Sequence, residues 1–174
     1  GAGLLPHKSR INNFLDGAVP ELKGHMSIKI RLGWNSPDDL FRLLPVLKDY
    51  PLDELIIHPR LAIQRYEGTV DLNTFEQIIP EVACPLVYNG DIRTLDDFKR
   101  LSSRFPSINR WMIGRGCLEN PFLPGFIKTG EEAVPGKHTP ETLTRMKQFH
   151  DDLFAAYGDV LHGPAHVFNK MKGF

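Results

Sequence analysis

Glu54-Leu55-Ile56-Ile57-His58-Pro59-Arg60 decides how the rest of the chain is read. A short apolar run rich in β-branched residues has the length and composition of a strand. It ends on a polar cluster, His58-Pro59-Arg60, and the same arrangement recurs on either side. Upstream, Ser27-Ile28-Lys29-Ile30-Arg31 leads into Leu32-Gly33-Trp34. Downstream, Pro85-Leu86-Val87-Tyr88-Asn89 leads into Gly90-Asp91, and Arg110-Trp111-Met112-Ile113 leads into Gly114-Arg115-Gly116.

Helical patterns fill the gaps. Ser36 can cap a helix with Pro37 at its first position, and Leu40, Leu43, Leu44 and Leu47 then line one face. Leu72, Phe75, Ile78 and Ile79 form a shorter stripe. Thr94 and Asp97 resemble a capping box ahead of Leu95, Phe98 and Leu101. The order β-α-β-α-β-α-β repeats every 25–30 residues or so, the size of a βα crossover. Parallel strands require such crossovers, because no hairpin can join them. After Pro121 the rhythm breaks. Gly125, Gly130, Pro135 and Gly136 read as a loop-rich linker, followed by a helix capped by Thr139 that stops at Gly158, and by a last helix over Pro164–Lys172.

Four βα units are half of a (β/α)8 barrel, which typically takes about 250 residues. No GxGxxG follows a strand and no P-loop lysine motif is present, which disfavours an open nucleotide-binding sheet. Polar clusters at every strand's C-terminal end favour the barrel, where active sites collect at that end. The fold expected is therefore α/β, half of a TIM (β/α)8 barrel with an α-helical tail, divided at residues 1–124 and 125–174.

The same pattern nominates site residues. Lys29 interrupts an apolar strand. If Ile28 and Ile30 face the helices, Lys29 and Arg31 face the barrel interior. His58 and Arg60 end the next strand. Asn89-Gly90-Asp91, between a strand and a capped helix, suits close backbone approach to a ligand. Gly114-Arg115-Gly116 follows the fourth strand, and backbone N–H groups beside an arginine suit a phosphate. The pair of loops predicts a phosphorylated cofactor held across both.

The remaining composition mostly excludes. With 21 basic and 21 acidic residues the formal charge is zero, so no global field argues for nucleic acid, though a local basic patch is compatible. Cys84 and Cys117 form no CxxC pair, the histidines show no metal-ligand spacing, and no zinc site, other metal or disulfide framework is expected. Cys84 at a strand start and Cys117 read as structural. Asp38 and Asp39 read as acids of a helix N-terminus, Asp151 and Asp152 as a solvated face, and Glu131-Glu132 as linker. No apolar run approaches membrane-spanning length, and a reducing, cytoplasmic setting is expected. Both ends read as truncated, with no initiator Met and a helix cut off at Phe174.

These motifs together resemble the tRNA-dihydrouridine synthases. Lys29-Ile30-Arg31-Leu32-Gly33-Trp34 is similar to that family's lysine strand. His58-Pro59-Arg60 with Gln64, Tyr66 and Gly68, then Asn89-Gly90-Asp91-Ile92, then Met112-Ile113-Gly114-Arg115-Gly116 with Asn120-Pro121, resemble the next three motifs in order. The likeness covers residues 1 to about 123 and extends more weakly through His166-Val167 and Lys170-Met171-Lys172. It implies the C-terminal half of the barrel plus part of a helical tRNA-binding domain. It also implies flavin mononucleotide (FMN) as cofactor, NADPH as reductant, and reduction of the C5=C6 bond of uridines in tRNA. On this resemblance Lys29 and His58 meet the flavin ring, Asn89, Gly90, Asp91, Gly114 and Arg115 hold its phosphate tail, and Arg31, Arg60, Lys170 and Lys172 meet tRNA. Lys137, Arg145 and Lys147 are further candidates for phosphate contacts. The family's general-acid cysteine is expected upstream of Gly1, which would leave the chain alone inactive. A flavin-dependent barrel dehydrogenase of a small metabolite would show the same phosphate loops without the tail. A non-catalytic RNA-binding fragment, self-associated through open sheet edges, is the other alternative.

Overall fold

The structure, a computed structural model, describes residues 2–131 and 139–172. The expectations resting on Gly1, Glu132, Pro135, Gly136 and Lys137 fall outside the described residues. Helix α1 (Lys8–Ala18) precedes strand β1 (Ser27–Gly33), helix α2 (Asp38–Leu47), strand β2 (Glu54–Leu61), helix α3 (Leu72–Ile78) and strand β3 (Leu86–Tyr88). Helix α4 (Leu95–Arg104), strand β4 (Arg110–Trp111), helix α5 (Arg115–Glu119) and helix α6 (Leu123–Thr129) follow. Helices α7 (Pro140–Val160) and α8 (Pro164–Met171) complete the order. The chain divides into two compact units, Gly1–Asp91 with Arg100–Ile113, and Ile92–Lys99 with Gly114–Phe174.

In the first unit the four strands are parallel and lie in the order β1-β2-β3-β4, so sequence neighbours are also sheet neighbours. A doubly wound sheet would reverse direction at a switch point; this one does not. Leu55, Ile57 and Tyr88 are fully buried on one side of the sheet. Phe75 and Phe105 pack against Tyr88, with ring centroids 5.0 and 6.0 Å away, and Trp111 lies at 5.4 Å. The leucine face read from the sequence of α2 is buried as expected: Leu40, Leu43, Leu44 and Leu47.

Several boundaries differ from the sequence reading. Helix α2 starts one residue later than expected, at Asp38, so that Pro37 rather than Ser36 takes the cap position; the Ser36 hydroxyl lies one residue before it and accepts from the Asp38 N–H at 3.2 Å. Strand β2 does not stop at His58 but runs through Pro59 and Arg60, which are buried rather than set on a loop. Asp71, not singled out in the sequence, caps α3 by accepting from the Thr74 N–H at 2.9 Å. The Thr94–Asp97 capping box is present, with reciprocal bonds of 3.1 Å.

In the second unit the expected linker is partly helical. Leu123–Thr129 forms α6, with Pro124 in its first turn and Gly130 closing it at φ 73°. The 124/125 division therefore falls inside a helix. Thr139 caps α7 as expected, accepting from the Thr142 N–H at 3.2 Å. Gly158 does not stop α7, which continues to Val160. A glycine ends a helix by taking a left-handed conformation, and among the described residues positive φ in this region belongs to Gly163 instead. No helix among the described residues is long and apolar enough to cross a membrane.

Candidate active site at the strand ends

Strand pairing builds the site. Lys29 is paired with Ile56 and Arg31 with His58 across β1 and β2, and Ile56 is paired with Val87 on β3. Cα partners in a parallel sheet point to the same side, so His58 shares a face with Lys29 and Arg31, which alternation with Ile28 and Ile30 already puts together. A register shift between Arg31 and Gly33 ends the regular pairing just past these groups.

His58 is 8% exposed. Burial and the nearby cations Arg31, Lys29 and Arg60 push its imidazole down to about 4, with Asp91 pulling the other way. His58 is therefore neutral at physiological pH and can donate from one ring nitrogen while accepting at the other. Lys29 keeps a solvent-accessible side chain, but partial desolvation and then Arg31 lower its ammonium below the usual lysine range. Arg31 donates to the Leu61 carbonyl at 2.9 Å, and its guanidinium lies 5.5 Å from the centre of the Tyr66 ring.

Arg60 sits deeper, at 2% exposure. One end of its guanidinium bonds the Asp91 carboxylate and the other the Glu67 carbonyl, while its Nε is buried without a partner. The Asn89 side-chain amide donates to the Met112 carbonyl at 2.8 Å, tying the end of β3 to the segment after β4. A methyl at Gly90 would come within 3.0 Å of Val70, 3.2 Å of the Tyr88 hydroxyl and 3.3 Å of Pro59, so protein atoms already crowd this glycine. Asp91 beside it takes the unusual positive φ of 42°.

The sequence reading missed how the β1 end is shaped. A side chain at Gly33 would lie 1.8 Å from the Ser36 carbonyl oxygen, so only glycine fits this turn. Asp39 lies in the first turn of α2, as read from the sequence, and is 4% exposed; its carboxylate accepts from the Trp34 N–H at 2.9 Å and from Arg42 at 2.7 Å. The signal was the Ser36-x-x-Asp39 spacing of a capping box, although Asp39 reaches the Trp34 N–H rather than the N–H of Ser36. Ala62 and Ile63 donate to the Gly33 and Trp34 carbonyls at 2.8 and 3.1 Å, joining this turn to the one after β2.

The second unit carries the other expected phosphate residues. Gly114 is exposed with open space where a side chain would stand, and Arg115 is half-buried at the start of the short helix α5. The glycine that packing requires is Gly116, whose added Cβ would lie 2.2 Å from the Ile92 carbonyl oxygen. Lys170 and Lys172 are exposed on α8 and just past it, with the Lys172 ammonium 5.0 Å from the Phe168 ring centre. Arg145 stacks over Phe122 at 5.2 Å, and Lys147 pairs with Asp151 one turn along α7. Cys84 and Cys117 are both half-buried, and desolvation raises both thiols.

Comparison with known proteins shows the family. The family described as dihydrouridine synthase (Dus) matches residues 1–170. The tRNA-dihydrouridine(16) synthase of Vibrio cholerae is 28% identical over 152 residues, covering 86% of this chain and 47% of that protein. The corresponding Salmonella typhimurium protein is 27% identical over the same coverage of each. The tRNA-dihydrouridine synthase B of Shewanella oneidensis is 22% identical over 174 residues, 96% of this chain and 54% of that protein. The chain thus spans about half the length of the relatives it matches, and within that span it belongs to the dihydrouridine synthase family, an oxidoreductase family that acts on tRNA.

Proposed function

We propose that this chain forms the C-terminal half of a (β/α)8 barrel in an FMN-dependent tRNA-dihydrouridine synthase. Residues 1–124 would contribute to the flavin site and residues 125–174 to tRNA binding. The observation that carries this reading is a neutral, buried His58 that shares one face of a parallel sheet with Lys29 and Arg31, His58 and Arg31 lying in the C-terminal halves of their strands. That end of a βα fold is where ligands bind. The sequential strand order supports the barrel.

The donor set fits a flavin. Two cations and a neutral imidazole suit a planar ring with carbonyl and ring-nitrogen acceptors, and Arg115 beside the open Gly114 backbone suits a phosphate. Bound FMN would supply the hydride for the C5=C6 bond of uridine, with NADPH as its reductant. Lys29 would donate to the ring's acceptors. His58, unprotonated, would hold the ring by hydrogen bonding without adding charge. Asn89, Gly90 and Asp91 would shape the tail's path, and Gly114 and Arg115 would hold its phosphate. Arg31, stacked on Tyr66 and half-exposed, would meet the target nucleotide. Lys170 and Lys172 would contact tRNA phosphates. The acid that protonates the uracil is assigned to a cysteine outside these 174 residues rather than to Cys84 or Cys117.

Titration of FMN fluorescence tests the assignment. Saturable binding by the full-length protein, weakened roughly tenfold or more by Arg115→Ala and by Lys29→Ala, is the expected result, at about 1.4 kcal/mol per tenfold. The 174-residue chain is expected to bind more weakly than the full-length protein. Failure of the full-length protein to bind FMN would overturn the assignment.

A further inference from the structure

Arg60 is a buried arginine, 2% exposed, whose contacts join two separate turns. It lies on β2, yet one end of its guanidinium meets Asp91 in the turn after β3 and the other meets the Glu67 carbonyl in the turn after β2. Both turns hold strained backbone. Asp91 sits at φ 42°, and the 65–68 segment places Arg65 at φ 52° and Gly68 at φ 68°. Residues with side chains rarely adopt such angles, so the surrounding contacts must impose them. A planar fork with a fixed spacing between its donors can hold two acceptors at once, where a lysine offers only a point charge.

We propose that Arg60 is a positioning residue that fixes the Asn89-Gly90-Asp91 turn and the Glu67-Gly68 turn relative to each other and sets the electrostatic field at His58. This rests on the flavin-site reading only for its consequence, that the turn proposed to shape the cofactor's path is pre-set before cofactor arrives. The geometry itself stands without a cofactor. The groups acting on His58 are Arg31 and Lys29 from β1, Arg60 from its own strand, and Asp91 from the β3 turn. Arg60 and Asp91 oppose each other there, so removing either one has a signed effect. Loss of Arg60 removes one of the cations that oppose protonation of His58 and so favours the imidazolium. Loss of Asp91 favours the neutral ring.

Nuclear magnetic resonance of the 174-residue chain without cofactor tests this, following the His58 ring through a pH titration and the amide signals of Gly68 and Gly90. Arg60→Met is expected to raise the His58 midpoint by about one pH unit and to move both glycine signals. Arg60→Lys, which keeps the charge and loses the fork, is expected to leave the midpoint near its original value while both glycine signals still move. Asp91→Asn is expected to move Gly90, leave Gly68 in place, and keep His58 neutral to lower pH. An unchanged His58 midpoint in a folded Arg60→Met variant would overturn the electrostatic half of the proposal. If that variant does not fold, Arg60→Lys and Asp91→Asn decide: unmoved glycine signals in Arg60→Lys, or an unmoved Gly90 in Asp91→Asn, would overturn the positioning role. None of these measurements involves FMN, so their failure is separate from failure of the flavin assignment.

Discussion

At His58 two demands meet, a buried position and a ring kept uncharged. The unfolded chain takes up a proton near the ordinary histidine value of 6.5, whereas the folded chain does so only near 4. Between those values the unfolded state binds more protons, so stability rises with pH across the window. The contribution is complete above roughly pH 6.5 and is lost as the pH falls toward 4. The melting temperature should therefore drop between pH 6.5 and 4, and His58→Gln should flatten that part of the profile. An unchanged slope in His58→Gln would mean that the imidazole titrates normally. That Lys29 and Arg31 share a face was legible in the sequence, because strand alternation alone puts them there; that His58 joins them depends on the strand register, which pairs it with Arg31. Burial of Asp39 and Arg60 was not legible. Both are charged residues whose partners, the Trp34 N–H, the Glu67 carbonyl and Asp91, come from chain reversals that a linear pattern does not locate.

Among the elements, caps read well where the side chain bonds within its own turn. The Thr94–Asp97 box and the Thr139 cap are local chemistry and stand as read. Gly158 shows where that reading fails. Its position suited a helix stop, but a stop requires positive φ, and α7 keeps helical geometry through it. Nothing lies within 4 Å of where its side chain would be. Gly158→Ala should therefore stabilise α7 by roughly 0.5–1 kcal/mol, since alanine restricts the unfolded chain without strain. Urea denaturation would register this as a higher midpoint at constant slope, while a lower midpoint would mean that the position is constrained after all. Strand β2 failed in the opposite way. Proline and arginine after an apolar run signal an ending, yet Pro59 and Arg60 stay in the strand: the Asp71 N–H donates to the Pro59 carbonyl at 2.7 Å, the Leu61 N–H donates to the Gln64 side chain at 2.7 Å, and the Glu67 carbonyl accepts from Arg60.

Across the whole molecule, the parallel sheet and its sequential order followed from counting βα units, since crossover length and strand length are both set by local pattern. The helical content of 123–129 did not, because Gly125 within it and Gly130 just past it read as loop. Helix α7 has no buried residue, and Leu143, Met146, Phe149 and Phe154 are exposed along it. Strand β1 pairs only with β2 and strand β4 only with β3, so both present unpaired edges among the described residues. Surfaces of these two kinds promote association. Sedimentation of the 174-residue chain should show a weight-average mass that rises with concentration. Leu143→Glu with Phe154→Glu should lower it if the helix carries the contact, and an unchanged mass would assign the contact to the strand edges. A strictly monomeric chain at high concentration would refute both.

The sequential order of the sheet also bears on how the chain comes to be folded. Within the described sheet, β2, β3 and β4 each pair with the strand synthesised just before them. Closing each pairing requires bridging only one crossover, and loop closure grows more demanding with the length bridged. The sheet can thus be laid down in the order of translation, with one growing edge at a time. Among the described strands the two-residue β4 is the last to emerge, and α7 and α8 follow it in the chain.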